Sequence, residues 1–317
     1  MSESRPQDPT APVAVAGANG FIGRRLVARL RKDGVPLRAL VRDRERGREA
    51  LGDNVELAVA DAESGNGLEQ ALEGCRHAYF LVHLMAGANE GYAERERASA
   101  VTFAKAATAA GVERVSYLGG LGGDSPHLTS RRKTAEALQE HGPPLTYFRA
   151  AMIVGPGSES YELLRSIVEL LPLAPAPSWL DNRTQPIGVR DVISYLAAAP
   201  ETDAASGREV QIGGPRVLSH RDVIDELASQ MGRRGPRWLP FPNRIAKPEV
   251  MAAGAASLTR GDPGVAAELA LGLQEDTVVT DPSGAELFEG ITPEPLSIVF
   301  QRCLDEAERE AALAGSA

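Results

Sequence analysis

The sequence predicts an α/β fold: a doubly wound parallel sheet with a smaller C-terminal substrate lobe. Three observations predict it. Short apolar runs alternate with helix-length amphipathic segments from Pro12 to about residue 150. A glycine-rich turn joins the first run to the first amphipathic segment. The 317 residues, 43% hydrophobic and 24% charged, hold enough apolar material for a large core. Strands separated by helix-length segments imply βαβ units, and right-handed crossovers then cover both faces of the sheet.

Taken in order, residues 12–16 read as a buried strand ending at Gly17, and residues 20–33 as a helix with Phe21, Ile22, Leu26, Val27 and Leu30 on one face. Strand-like runs follow at 36–42, 55–60, 78–84, 114–118 and 145–149. Helical patterns lie between them at 43–51, 66–73, 91–110 and 130–141. Beyond residue 150 the rhythm loosens. The proline-rich stretch 172–184 reads as a long surface loop, and Ser219 to Asp222 as a capping box opening a helix through Met231. Residues 243–273 read as helical in two pieces, broken near Gly261 to Pro263. The polar, proline-bearing residues 1–11 read as a disordered leader, 12–150 as a dinucleotide-binding domain, and 151–317 as a substrate lobe integrated with it.

Composition narrows the function. The 43 acidic against 34 basic residues give a net charge of −9, which argues against a whole-surface nucleic-acid binder. No uninterrupted apolar run is long enough to cross a bilayer. Two cysteines, Cys75 and Cys303, make neither a disulfide framework nor a thiolate metal site, and the five histidines show no ligand spacing. With no apolar signal segment at its start, the chain is expected to be cytoplasmic, to hold no metal, and to act on a small molecule. An oligomer is compatible with all of this.

Gly17-Ala-Asn-Gly20-Phe-Ile-Gly23 lies where a Rossmann dinucleotide turn belongs, between a strand and a helix. Glycines there allow the tight turn and the close approach of a pyrophosphate, which the N–H groups of the helix N-terminus then meet. Charge points to the type of dinucleotide. An NAD site usually sets Asp or Glu at the end of the second strand, for the ribose 2′-hydroxyl. Here that place reads Leu40-Val-Arg42-Asp43-Arg44, and ten basic residues fall between Arg24 and Arg48 against three acidic ones. A guanidinium suits a 2′-phosphate. Arg42 therefore favours NADP(H) over NAD(H), with Asp43 as the dissenting neighbour.

The glycine turn, Asp61 after the third strand, His83-Leu-Met-Ala86 after the fourth and Gln185-Pro-Ile-Gly-Val-Arg-Asp-Val192 resemble the extended and atypical short-chain dehydrogenases/reductases. Tyr79 to His83, Tyr117-Leu-Gly-Gly-Leu-Gly122 and Ser125-Pro-His127 are most similar to the NmrA-like NAD(P)H-binding branch. The resemblance implies that Gly17, Asn19, Gly20, Phe21, Ile22 and Gly23 line the pyrophosphate. It implies that Asp61 and Ala62 meet the adenine, while His83 and Leu84 flank the ribose. A satisfied imidazole at a strand end is the other reading of His83.

One departure from that superfamily bears on mechanism. Its members commonly transfer hydride with a Tyr-x-x-x-Lys pair on the helix after the fifth strand. Four residues before Lys32, Lys105, Lys133 and Lys247 stand Ala28, Val101, Thr129 and Asn243, so no tyrosine is in place. The customary serine after the fifth strand is missing too. Lys133 lies on the expected helix, as a ribose ligand or as an exposed charge. Thr129, in the tyrosine position, is a poor proton donor at neutral pH. Tyr161 and His83 become the candidate proton donors, with Tyr117 and His127 also in reach, and Met152, Tyr161, Trp179 and Gln185 the candidate substrate contacts. The expected activity is an NADP(H)-dependent oxidoreduction of a small, apolar carbonyl or unsaturated compound. A catalytically silent NADP(H)-binding sensor or accessory protein is the alternative, and a nucleotide-sugar epimerase or dehydratase the third reading.

Overall fold

The computed structural model describes residues 10–83, 91–123, 125–240, 250, 253–254, 256–257 and 262–314. Residues 1–9 of the expected leader, Leu84, and most of 241–261 lie outside the described residues.

Seven parallel strands form the central sheet. They are β1 (Val13–Ala16), β2 (Leu37–Val41), β3 (Glu56–Val59), β4 (His77–Phe80), β5 (Arg114–Gly120), β6 (Leu145–Ala150) and β7 (Glu209–Ile212). Their order is β7-β6-β5-β4-β1-β2-β3, every pair parallel. The chain reverses direction across the sheet between β1 and β4, where open α/β sheets form a crevice at the strand C-termini. Helices α1 (Phe21–Lys32), α2 (Arg44–Leu51), α3 (Leu68–Leu72), α4 (Tyr92–Ala109) and α5 (Pro126–His141) connect the first six strands. The seventh strand comes from beyond residue 150, so the C-terminal half completes the sheet rather than standing apart.

Strand alternation explains the two cores. Val13 and Val15 of β1 face Leu26, Val27 and Leu30 of α1, together with Val192 and Leu196 of α7 (Val189–Ala198). Ala14 and Ala16 face the other way, toward Leu68, Phe80, Phe103 and Leu138. A third core joins α6 (Glu159–Leu170), α8 (His220–Gln230) and the last helix. Tyr161, Leu164, Val168, Leu227 and Phe300 fill it. Two further helices, α9 (Pro263–Gly272) and α10 (Ser283–Leu287), precede the last, α11 (Leu296–Ala314).

Three local findings refine the sequence reading. Residues 172–184 are not one loop: Leu173–Ala176 pairs in parallel with Arg237–Pro240, and a 3₁₀ turn follows at Ser178–Asp181. Both members of a two-stranded ribbon are edge strands, so their prolines leave no ladder bond unmade. Helix α5 starts at Pro126 rather than residue 130, because the Ser125 hydroxyl accepts from the Leu128 amide at 3.3 Å and proline suits a first turn. The predicted capping box at Ser219 and Asp222 is present. Among the described residues no helix is long and apolar enough to cross a membrane, and no group of histidine, cysteine and carboxylate side chains is placed to hold a metal.

Candidate cofactor and substrate site

The glycine turn needs its glycines at each position for a different reason. Gly17 has φ +80°, and a Cβ there would lie 2.5 Å from the Leu81 carbonyl oxygen. A Cβ on Gly23 would lie 2.1 Å from the Gly17 carbonyl oxygen, so this glycine lets α1 pack onto the turn. At Gly20 a Cβ would meet Gly17 O at 3.2 Å and nothing else within 4 Å. It would project into open space, where a phosphate must approach. The first turn of α1 carries no acidic residue, so its positive dipole end is uncompensated. This cradle fits a pyrophosphate.

Around the turn runs a cleft of about 700 Å³, lined by Gly17, Asn19, Gly20, Phe21, Ile22, Gly23, Arg42, Asp61, Ala62 and His83 among others. These residues are the expected cofactor set without Leu84, which is not described, and Lys133. Arg42 is exposed at the mouth, 4.0 Å from Glu63, a pairing too solvated to immobilise it. Arg46 lines the same mouth. Asp43, the dissenting neighbour, accepts from the Arg46 amide at 2.9 Å and caps α2. Asp61 accepts from the Glu63 amide at 3.1 Å and the Ser64 hydroxyl at 2.9 Å. Partial burial raises its carboxyl, but those bonds outweigh it and hold the group below its ordinary range.

A second cavity, about 520 Å³ and mostly apolar, lies beyond the C-terminal ends of β5 and β6. Met152, Leu163, Leu164, Trp179, Ile224 and Trp238 are among its walls, so both tryptophans of the chain line it. The two cavities share Ile22, Leu118, His127, Arg131, Ile153, Ser160 and Leu269. The two cavities therefore adjoin.

A charged cluster stands at the shared wall. Arg131 donates to the Tyr117 hydroxyl and the Leu118 carbonyl, each at 3.3 Å, and its guanidinium lies 3.9 Å from Glu96 Oε1. The Glu96 side chain is 1% exposed, and its Oε2 lies 3.2 Å from His83 Nδ1. The rings of His83 and His127 are 5.7 Å apart. Burial, with Arg131 adding to it, pushes His127 down to about 3, so this imidazole is neutral at physiological pH. Burial and Arg131 lower His83 as well, against the opposing pull of Glu96. Burial raises the Tyr117 phenol.

Three sequence-nominated residues lie elsewhere, and Tyr117, fully buried in β5, lines neither cavity either. Tyr161 is 1% exposed, packs against Phe300 in the third core, and lines neither cavity; burial pushes its phenol up to about 12. Its position is set by the inward stripe of α6, where Tyr161, Leu164 and Val168 recur at helical spacing. Lys133 is exposed, and with Thr129 it is absent from both cavity walls. Two residues along a helix turn the side chain by about 200°, so the face that presents Arg131 turns Lys133 away. Gln185 donates to Gly214 O at 2.6 Å and accepts from the Val279 amide at 3.1 Å, joining loops rather than lining the cavity. Met152 and Trp179 do line it. Sequence reasoning missed Arg46, Glu96 and Arg131. The legible signal was His127 and Arg131, four residues apart on the helix after β5.

Residues 17–151 match the family described as NAD(P)H-binding. The chain is 29% identical over 297 residues to a ceramide reductase of Caulobacter vibrioides, covering 90% of each. It is 26% identical over 227 residues to an NAD(P)H azoreductase of Xenophilus azovorans, covering 70% of this chain and 74% of that one. A solved NADPH-dependent quinone oxidoreductase of Escherichia coli, complexed with NADPH, superposes with a TM-score of 0.72 at 17% identity, over 92% of this chain and 99% of the other. Over residues 17–151 the chain is thus similar to an NAD(P)H-binding family, and over nearly its whole length it shares the fold of the superposed oxidoreductase.

Proposed function

We propose that the protein is a reductase that uses NADP(H) in preference to NAD(H) on an apolar carbonyl or unsaturated compound. The observation that carries this reading is the shared wall: the cleft around the glycine turn and a mostly apolar cavity have seven lining residues in common. The reductase names of the two relatives support it. When bound, the reduced nicotinamide supplies a hydride. The remaining work falls to groups of this chain. The turn from Gly17 to Gly23 holds the pyrophosphate, Arg42 with Arg46 takes the 2′-phosphate, and Asp61 and Ala62 border the adenine. His83 sits on Glu96 beside the ribose. Met152 and Trp179 belong to the wall that excludes water and holds the substrate, which places the reacting carbon in a poorly hydrated cavity.

The test is a calorimetric titration with NADPH and NADH, followed by NADPH consumption with a series of aliphatic ketones, enones and quinones. Tighter binding of NADPH and turnover of an apolar member are the expected results. Tight binding with no turnover across the series would replace this reading by a silent NADP(H)-binding protein.

A further inference from the structure

Three observations converge on α5. His127 and Arg131 are separated by one helical turn, and both line both cavities. Arg131 is fixed from behind by the Tyr117 hydroxyl, the Leu118 carbonyl and the Glu96 carboxylate. His127 has its Nδ1 buried with no hydrogen-bond partner among the described residues, leaving Nε2 as the ring nitrogen that can serve a ligand. A fixed cation and a neutral imidazole, side by side in an apolar wall, make a receptor for an electron-rich oxygen.

We propose that His127 and Arg131 are the residues that hold the reacting oxygen of the substrate, in place of the missing Tyr-x-x-x-Lys pair. The inference rests on the reductase reading and names its chemistry: a ketone or other carbonyl on an apolar chain. As the carbonyl carbon gains its C–H bond, the C=O π pair moves to oxygen and NADPH becomes NADP⁺. The Arg131 guanidinium meets that negative charge, and the alkoxide takes its proton from bulk water, leaving hydroxide, as the product leaves the apolar cavity. His127, protonated on Nε2, donates a second hydrogen bond to the same oxygen. Fixed donors of this kind stabilise developing charge because they need no reorganisation as it appears. Glu96 is a positioning residue, since it reaches the substrate only through Arg131.

The experiment reads binding, so it does not depend on turnover. Decanoate carries a permanent negative oxygen on an apolar chain, and methyl decanoate is its uncharged counterpart. Each is titrated into the full chain saturated with NADP⁺, using the fluorescence of Trp179 and Trp238 in the cavity wall as the signal. Decanoate is expected to bind at least about tenfold more tightly than the ester, because a hydrogen bond to a charged group exceeds a neutral one. Arg131→Met removes that preference, with a loss of about ten- to a hundredfold for decanoate, and His127→Phe loses about three- to tenfold. Arg131→Lys keeps the charge and part of the preference. If Arg131→Met does not fold, the double variant Glu96→Gln/Arg131→Met, which removes both members of the buried pair, takes its place. Equal affinity for acid and ester, decanoate binding unchanged in the Arg131 variants, or no response to decanoate at all would each overturn the proposal. Arg131-dependent binding without NADPH consumption by any ketone would leave the oxygen site standing and remove the reductase reading instead.

Discussion

Arg42 stands 76% exposed at the cleft mouth, and its carboxylate neighbour at 4.0 Å holds it weakly. It is free to turn toward a ligand at little cost. Arg42→Ala should therefore lower NADPH affinity by about ten- to a hundredfold and leave NADH binding within about twofold. Calorimetry with both cofactors checks this, and an equal loss for the two would show that Arg42 does not read the 2′-phosphate. A buried charge behaves differently. Arg131 compensates a carboxylate whose side chain is 1% exposed, so Arg131→Met strands Glu96 in the interior. The expected loss is about 3–5 kcal/mol of unfolding free energy. Adding Glu96→Gln should restore much of it, because the stranded charge and not the missing contact is the larger cost. Urea unfolding of the single and double variants decides; a double variant as unstable as the single one would refute the coupling.

The β1–turn–α1 unit was legible in the sequence because everything that defines it is local. A strand ends at a glycine, and the spacing of Gly17, Gly20 and Gly23 sets the turn and the start of the helix. Its glycines should separate under mutation. Gly20→Val adds a side chain facing open cleft, so NADPH binding is lost while the melting temperature moves little. Gly23→Ala drives a methyl into the Gly17 carbonyl, 2.1 Å away without relaxation. Binding and stability should both fall, the latter by about 1–3 kcal/mol, as overpacking does. Thermal unfolding beside cofactor titration separates the two; a Gly20→Val protein that binds normally would make the turn merely structural. Helix α5 was harder to read. Its buried residues include Ser130, Thr134, Ala135 and Ala137, too small and polar to mark a face in the sequence. Lys133 then drew attention to the wrong side. Strand β7 is four residues long with Val210 and Ile212 inward, too short for a period-two signal to stand out. Tyr161 was the reverse case: its spacing to Leu164 and Val168 already marked it as core.

The acid stability of the whole molecule should follow its buried, lowered histidines, among them one in the sheet, one at the site and one in the lobe, with His83 adding to them. His77 in β4 is 2% exposed, with Nε2 3.0 Å from the Ser116 hydroxyl, and burial pushes it down to about 3. Burial pushes His127 down to about 3 and His220, 3% exposed, down to about 4. In the unfolded chain each returns to about 6.5. The folded values are depressed, so the unfolded state binds more protons wherever the pH lies between them. The stability these neutral imidazoles contribute is present above pH 6.5 and is lost as the pH falls toward 4. Each adds a slope of up to about 1.4 kcal/mol per pH unit, or about 4 for the three together. Carboxylates held below their ordinary range, such as Asp61, Asp222 and Asp276, add their own loss only at lower pH. The steep region therefore begins well above the carboxylate range. Urea unfolding at pH 7, 6 and 5 should show the midpoint dropping at each step. His220→Gln keeps a polar side chain but cannot take up a proton there, so its slope should be shallower by up to about 1.4 kcal/mol per pH unit. A midpoint that stays constant from pH 7 to 5 would mean that these imidazoles reach solvent in the folded protein, His127 among them.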